Sequence, residues 1–193
     1  MCIAIWGYYP SPSTGSHNDG NEATQPVTAE VWVEHSIWPQ DPGFIRAAAG
    51  GITALQILPG SANLIGGRSV TIKNVPGRVY QDMKFPGAPY GMKMACGENP
   101  KRVYGTNFKV SPQTRMGNVA GYRQAFANAQ DYQEQWAKYE REYAKGDDVS
   151  PPKRDLELET LVGVLEGEIL VNMHCYRADD MGYTARHDER VWL

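Results

Sequence analysis

Apolar residues along this chain recur on two different periods, and the change from one to the other divides it. Up to about residue 96 they come as short runs, each closed by glycine, proline or asparagine. Beyond Asn118 they recur every three or four residues. The first pattern predicts strands joined by turns and the second predicts helix. "CIAIWG", Cys2 to Gly7, is the first strand-like run, followed by "YYPSPSTGSHNDGNEATQP", a turn-rich loop long enough to be functional. "DPGFIRAAAGG", Asp41 to Gly51, predicts a short helix with Asp41 as N-cap, Pro42 in the first turn and a glycine pair as its stop. "ITALQILPG" is apolar on both faces, as in a parallel sheet covered by helices, and leads into the Gly-rich loop "PGSANLIGG", Pro59 to Gly67. Within the mixed stretch from Arg68 to Gly91, "SVTIKNV" fits a strand. "MKMACGENPKR" reads as a short strand ending in a polar turn.

The clearest helix runs from about Asn118 to about Ala144, with Val119, Tyr122, Phe126, Ala129, Trp136, Tyr139 and Tyr143 on one face. "KGDDVSPPKRD" breaks it, "LELETLVGVLEG" forms a second helix, and "EILVNMH" returns as a strand. This α/β alternation predicts crossover connections and parallel strands. In such a sheet the carboxyl ends of the strands share one rim, where ligands bind. The turns "PGSAN" and "GENPK", the loop carrying His17, Asp19 and Glu22, and the segment His174 to Asp180 all fall at that rim.

Bulk properties narrow the partners. The chain has 193 residues, enough for one sizeable domain but short of the ~250 of a complete (β/α)8 barrel. A net charge of −3 and the absence of a basic run argue against nucleic acid and against a polybasic membrane contact. A small soluble ligand is the expected partner. No apolar run approaches a membrane span, and "MCIAIWGYYP" lacks the basic start of a secretory signal, so the chain reads as cytoplasmic. Cys2, Cys96 and Cys175 are odd in number, far apart and in no CxxC pair, and they read as reduced, mostly buried thiols.

Several residues carry candidate chemistry. "LPGSANLIGG" could present backbone N–H groups to an anion, but it has neither the GK[ST] ending of a P-loop nor GxGxxG spacing. A ligand-shaping turn fits it better, with Ser61 and Asn63 as substrate contacts. Ser61 follows a strand without a GxSxG elbow, which weakens a serine-hydrolase reading. His174 ends a strand, and Glu98 follows another; an imidazole nitrogen and a carboxylate oxygen together suit zinc or a similar ion.

"GGITALQILPGSANLIGG", "MKMACGENPKRVYG", "SPQTRMG" and "MHCYRADDM", with "HNDGNEATQPVT" upstream, resemble the imidazolonepropionase-like branch of the metal-dependent amidohydrolases from about Gly7 to Met181. The resemblance implies a distorted TIM-like (β/α)8 barrel flanked by a small β-sandwich, of which this chain holds about half. It also implies hydrolysis of C–N bonds in amide, cyclic amide or peptide-like small molecules. One or two divalent metals, zinc first, would sit at the strand carboxyl ends and activate a water. Carried over, His174 matches a metal-ligand histidine, and Glu98, or Lys93 as a carbamate, matches an earlier ligand position. His17, Asp19 and Glu22 fall where substrate contacts are expected. Tyr176, Arg177 and Asp180 would support the ligands or anchor substrate.

The chain departs from the family pattern. "MCIAIW" contains no HxH pair, and the strands bearing a second single histidine and the catalytic aspartate are missing. The catalytic residue is therefore unassigned. Past Met181, "GYTARHDERVWL" no longer reads as the expected helix, and His187 and Asp188 there read as part of a charged tail. The expected layout is a partial barrel domain over 1–181 and a divergent tail over 182–193. An open sheet edge then predicts association with another chain, homo-oligomer included. The rival expectation is a non-catalytic remnant or interaction subunit.

Overall fold

The structure, a computed structural model, describes Trp6–Gly7 and residues 18–185. His17, Cys2, His187 and Asp188 lie outside the described residues. A mixed five-stranded sheet has its strands in chain order: β1 (Trp6–Gly7), β2 (Ala54–Leu58), β3 (Ile65–Lys73), β4 (Gly91–Ala95) and β5 (Leu170–His174). β1 pairs parallel with β2 and β4 pairs parallel with β5, but β3 runs antiparallel to both its neighbours. An all-parallel sheet is thus overturned. Only residues 59–64 separate β2 from β3, far too few for a crossover, so the chain can only turn back on itself. The Gly-rich loop is correspondingly shorter than expected, and Ile65 to Gly67 already belong to β3. Gly67 sits at φ +104 with the Val31 carbonyl where a Cβ would be, next to a shift in the β3–β4 register.

The helices follow their local signals. α1 (Pro42–Ala49) is capped by Asp41, whose carboxylate accepts from Gly43 N at 2.6 Å. α2 (Tyr80–Met83) lies in the β3–β4 connection. After β4 the expected polar turn is instead helical, as α3 (Glu98–Pro100) continues into a π-helical segment, Lys101–Phe108. α4 (Arg115–Tyr143) starts behind the N-cap Thr114, slightly earlier than predicted, and α5 (Leu156–Leu165) behind Asp155. α6 (Ala178–Ala185) runs through the Met181 boundary, so at least that part of the expected tail is helix. None of the described helices is long and apolar enough to cross a membrane.

Alternation along the strands sends side chains to two faces. On one face, Leu64, Ile65, Met92 and Met94 pack against Tyr122, Phe126 and Ala129 of α4 and Leu161 of α5. A second cluster joins Leu55, Ile57, Val70 and Ile72 to Val33, Ile37 and Met83. The predicted apolar stripe of α4 is buried only through Tyr132. Trp136, Tyr139 and Tyr143 extend past the core as a ladder of rings 5.7–5.9 Å apart, and Tyr143 is exposed.

The opposite face is polar. Gln56 Nε2 donates to Asn172 Oδ1 at 3.2 Å and to Ser69 Oγ at 3.4 Å, and Ser69 Oγ donates to the same Asn172 oxygen at 3.4 Å. Gly91 leaves room for this knot, because a Cβ there would lie 2.3 Å from both Ser69 Oγ and Asn172 Oδ1. Replacing Gly91 by alanine should therefore break the knot and destabilise the fold by about 1–3 kcal/mol, read as a lower midpoint in denaturant unfolding. An unchanged midpoint would show that the close approach is not maintained in solution.

Candidate active site

β1, β2, β4 and β5 all point the same way, so their carboxyl ends form one rim, with β3 entering from it. Two neighbouring strands bring candidate groups there. In the β4–β5 register Lys93 pairs with Asn172 and Ala95 with His174. Ser61, on the loop after β2, stands between the Lys93 amine and the His174 ring. Lys93 Nζ donates to Ser61 Oγ at 2.7 Å and to the Pro59 carbonyl at 3.2 Å, and His174 Nδ1 lies 2.5 Å from Ser61 Oγ.

The loop that presents Ser61 is fixed from below. Asn63 is buried, and its amide donates to the carbonyls of Glu22 at 2.7 Å and Gln25 at 3.0 Å and to Thr28 Oγ1 at 3.0 Å. Gly60 N donates to the Gly20 carbonyl at 2.7 Å, and Ala62 N to Asn21 Oδ1 at 3.1 Å. Asn63, expected at the substrate, instead ties this loop to the segment around residues 20–28.

Lys93 is a cation in a dry place. It is 5% exposed, and burial lowers its pKa to about 8. No acidic side chain hydrogen-bonds it among the described residues. His174 is likewise pushed down, by burial first and then by the Lys93 charge, so its ring is neutral near pH 7. The hydroxyl between them can accept from the amine and still exchange a proton with the ring.

Other expected residues lie apart from this cluster. Glu98 is exposed in the first turn of α3, and adds only slightly to the rise in the Arg177 pKa, which comes first from the hydrogen bond to Asp179. Arg177 forms an exposed pair with Asp179 at 2.5 Å. Tyr176 is exposed, edge-on to His174 with ring centres 4.7 Å apart. Asp180 is gripped by Arg115 through three hydrogen bonds of 3.0–3.1 Å. Arg115 belongs to "TRMG", and nothing in its spacing to residue 180 announces the pair. Asp19 and Glu22, both exposed, border a separate cleft of about 280 Å3 with Trp32 and His35.

The cysteines correct the expectation of reduced thiols. Cys96 and Cys175 directly follow the paired ends of β4 and β5 and form a disulfide with a Cα–Cα distance of 5.2 Å. Their separation of 79 residues in sequence concealed an adjacency set by strand register.

The Lys93 environment has a measurable signature. A neutral amine reacts with acylating reagents, so Lys93 should be modified with a midpoint near pH 8, whereas surface lysines follow ~10.4. Peptide mass mapping across pH reads this, and a Lys93 midpoint above 10 would contradict its burial. Because the unfolded chain keeps a proton that folded Lys93 loses, stability should also rise as pH climbs from about 8 toward 10.5.

With this geometry in place, comparison with known proteins points one way. No protein-family model matches the chain. It is 35% identical to the amidohydrolase tasK of Hapsidospora irregularis, over 94% of this chain and 20% of that protein. A crystal structure of an amidohydrolase from Thermotoga maritima MSB8 superposes with a TM-score of 0.85 at 37% identity, covering 98% of this chain and 47% of that one. The chain thus spans about a fifth of the curated relative and about half of the solved one. These similarities support an amidohydrolase family, and the curled mixed sheet is consistent with part of a TIM-like barrel.

Proposed function

We propose that this chain supplies half of the catalytic mouth of a metal-dependent hydrolase of C–N bonds, of the imidazolonepropionase-like branch, acting on small amides, cyclic amides or peptide-like molecules. One observation carries the reading: Lys93 and His174, on adjacent parallel strands, meet at a single Ser61 hydroxyl on the carboxyl rim. The donor chemistry fits a divalent cation in part. His174 offers an imidazole nitrogen, and Lys93, if carboxylated on Nζ by carbon dioxide, offers oxygen. The lowered basicity of Lys93 favours the neutral amine that such carboxylation requires. Glu98 is the weaker alternative, being exposed beside Arg177.

A zinc ion bound there would polarise a substrate carbonyl and make a bound water nucleophilic near neutral pH. This chain's own part is to hold Lys93 and His174 in one place through Ser61, and to keep that place dry enough that the imidazole stays neutral. Tyr176, edge-on to His174, shields one side of the ring. Among the described residues no three His, Cys, Asp or Glu side chains group as a metal site, and this favours a second reading as a non-catalytic remnant.

Metal analysis separates the two. Protein purified with bicarbonate and zinc should retain metal, and Lys93→Ala or His174→Ala should each weaken retention by about tenfold or more. Equal metal in wild type and both variants, without turnover of an amide panel, would leave the non-catalytic reading.

A further inference from the structure

The two cysteines of the disulfide are tied down unequally. On the β4 side, Tyr122 Oη of α4 donates to the Ala95 carbonyl and Asn118 Nδ2 to the Gly97 carbonyl at 2.9 Å, both bonds buried. Cys96 lies between these two anchors and is 4% exposed. On the β5 side, Cys175 is half-buried and opens a segment in which Tyr176, Arg177 and Asp179 are exposed. Among the described residues, that segment is joined to the rest of the fold at Cys175 by the disulfide, at Tyr176 by a long bond of 3.5 Å from Asn99 Nδ2, and at Asp180 by Arg115.

This asymmetry reaches the site. Two separate thiols cannot share the space of one S–S bond in a close-packed region, so one cysteine has to move when the bond opens. The buried anchors at Ala95 and Gly97 keep Cys96 in place. Cys175 therefore moves, and its thiol has a weak partner at hand in Thr184 Oγ1, 3.9 Å from the sulfur. Tyr176 follows it, and the Tyr176 ring is the one that stands edge-on to His174 with centres 4.7 Å apart.

We propose that the Cys96–Cys175 disulfide is a redox latch on the rim: closed, it holds Tyr176 against the His174 ring, and opened by a small thiol, it releases Cys175 to Asp180 and bares that ring. The opening is thiol–disulfide exchange. The thiolate of glutathione attacks Sγ of Cys175, the less buried cysteine, and the S–S electron pair leaves with Cys96, whose thiolate takes up a proton. A second glutathione attacks the mixed disulfide, frees Cys175 as a thiol and departs as oxidised glutathione. Oxidised glutathione closes the latch by the reverse steps. The inference concerns the conformation of this segment and does not depend on the metal reading.

The protein equilibrated in glutathione buffers of graded ratio, trapped with N-ethylmaleimide and mapped by mass spectrometry, should pass reversibly between neither and both of Cys96 and Cys175 labelled. Its circular dichroism spectrum should not change. Nuclear Overhauser contacts between the Tyr176 and His174 rings, present when oxidised, should be lost on reduction. Cys96→Ala/Cys175→Ala should show the same loss with or without glutathione, and diethyl pyrocarbonate should modify its His174 faster than in the oxidised wild type by about threefold or more. Oxidised Tyr176→Ala should match that faster rate, because the latch acts through the Tyr176 ring.

A pair that glutathione reduces only as the chain unfolds is a structural staple, and it overturns the proposal. So does a folded, reduced protein that keeps the contacts between the two rings, since the bond then holds nothing at the rim. The reduced wild type carries this reading even where the double variant does not fold.

Discussion

The parallel register of β4 and β5 is the constraint on which the site depends. It sets Lys93 beside Asn172 and Ala95 beside His174, and so fixes how far apart the amine and the imidazole can lie. It also makes Cys96 and Cys175 neighbours. A slip of one residue would turn every β5 side chain to the other face, burying Asn172 and His174 against α4 and α5 and moving Met173 to the polar side. The packing of Met92 and Met94, both fully buried against α4 and α5, holds β4 against such a slip. The polar knot of Gln56, Ser69 and Asn172 resists it on the other face.

The same register accounts for the electrostatics. A lysine in the middle of a wholly buried strand has little access to solvent to stabilise its charge, and among the described residues no acidic side chain bonds to compensate. The fold instead gives it a carbonyl and a hydroxyl, which are dipoles rather than countercharges. That combination lowers its pKa while still holding the side chain in one orientation. Burial of the charge thus costs stability at Lys93 while leaving its amine neutral nearer to physiological pH.

How much of this is legible in the sequence depends on the range of the interaction involved. Elements with a local signal read well: the Asp41 cap of α1, the apolar period of α4 and the two-sided run of β2 each determine their own structure. Ser61 and His174 are likewise recognisable by type and by position at or just after strand ends, whereas Lys93, in the middle of β4, comes only from the family resemblance. Strand direction is not legible, because "PGSANL" contains turn formers that serve a crossover or a reversal equally well. Nor is the Cys96–Cys175 disulfide or the Arg115–Asp180 pair, since each joins residues 65 or more apart. Asn63 shows the same limit: its residue type suits a ligand contact, and only tertiary burial makes it a tether.

That tether has an evolutionary consequence. Asn63 reads the main chain at Glu22 and Gln25 rather than their side chains, so substitutions at those two positions leave this tether in place as long as the backbone path between Asn21 and Thr28 is preserved. An insertion or deletion there would be transmitted through the buried Asn63 amide, and through the Ala62 bond to Asn21 beside it, to the hydroxyl at the mouth. For the tether, a change of side chain at Glu22 or Gln25 is therefore cheap, whereas a change of length is not.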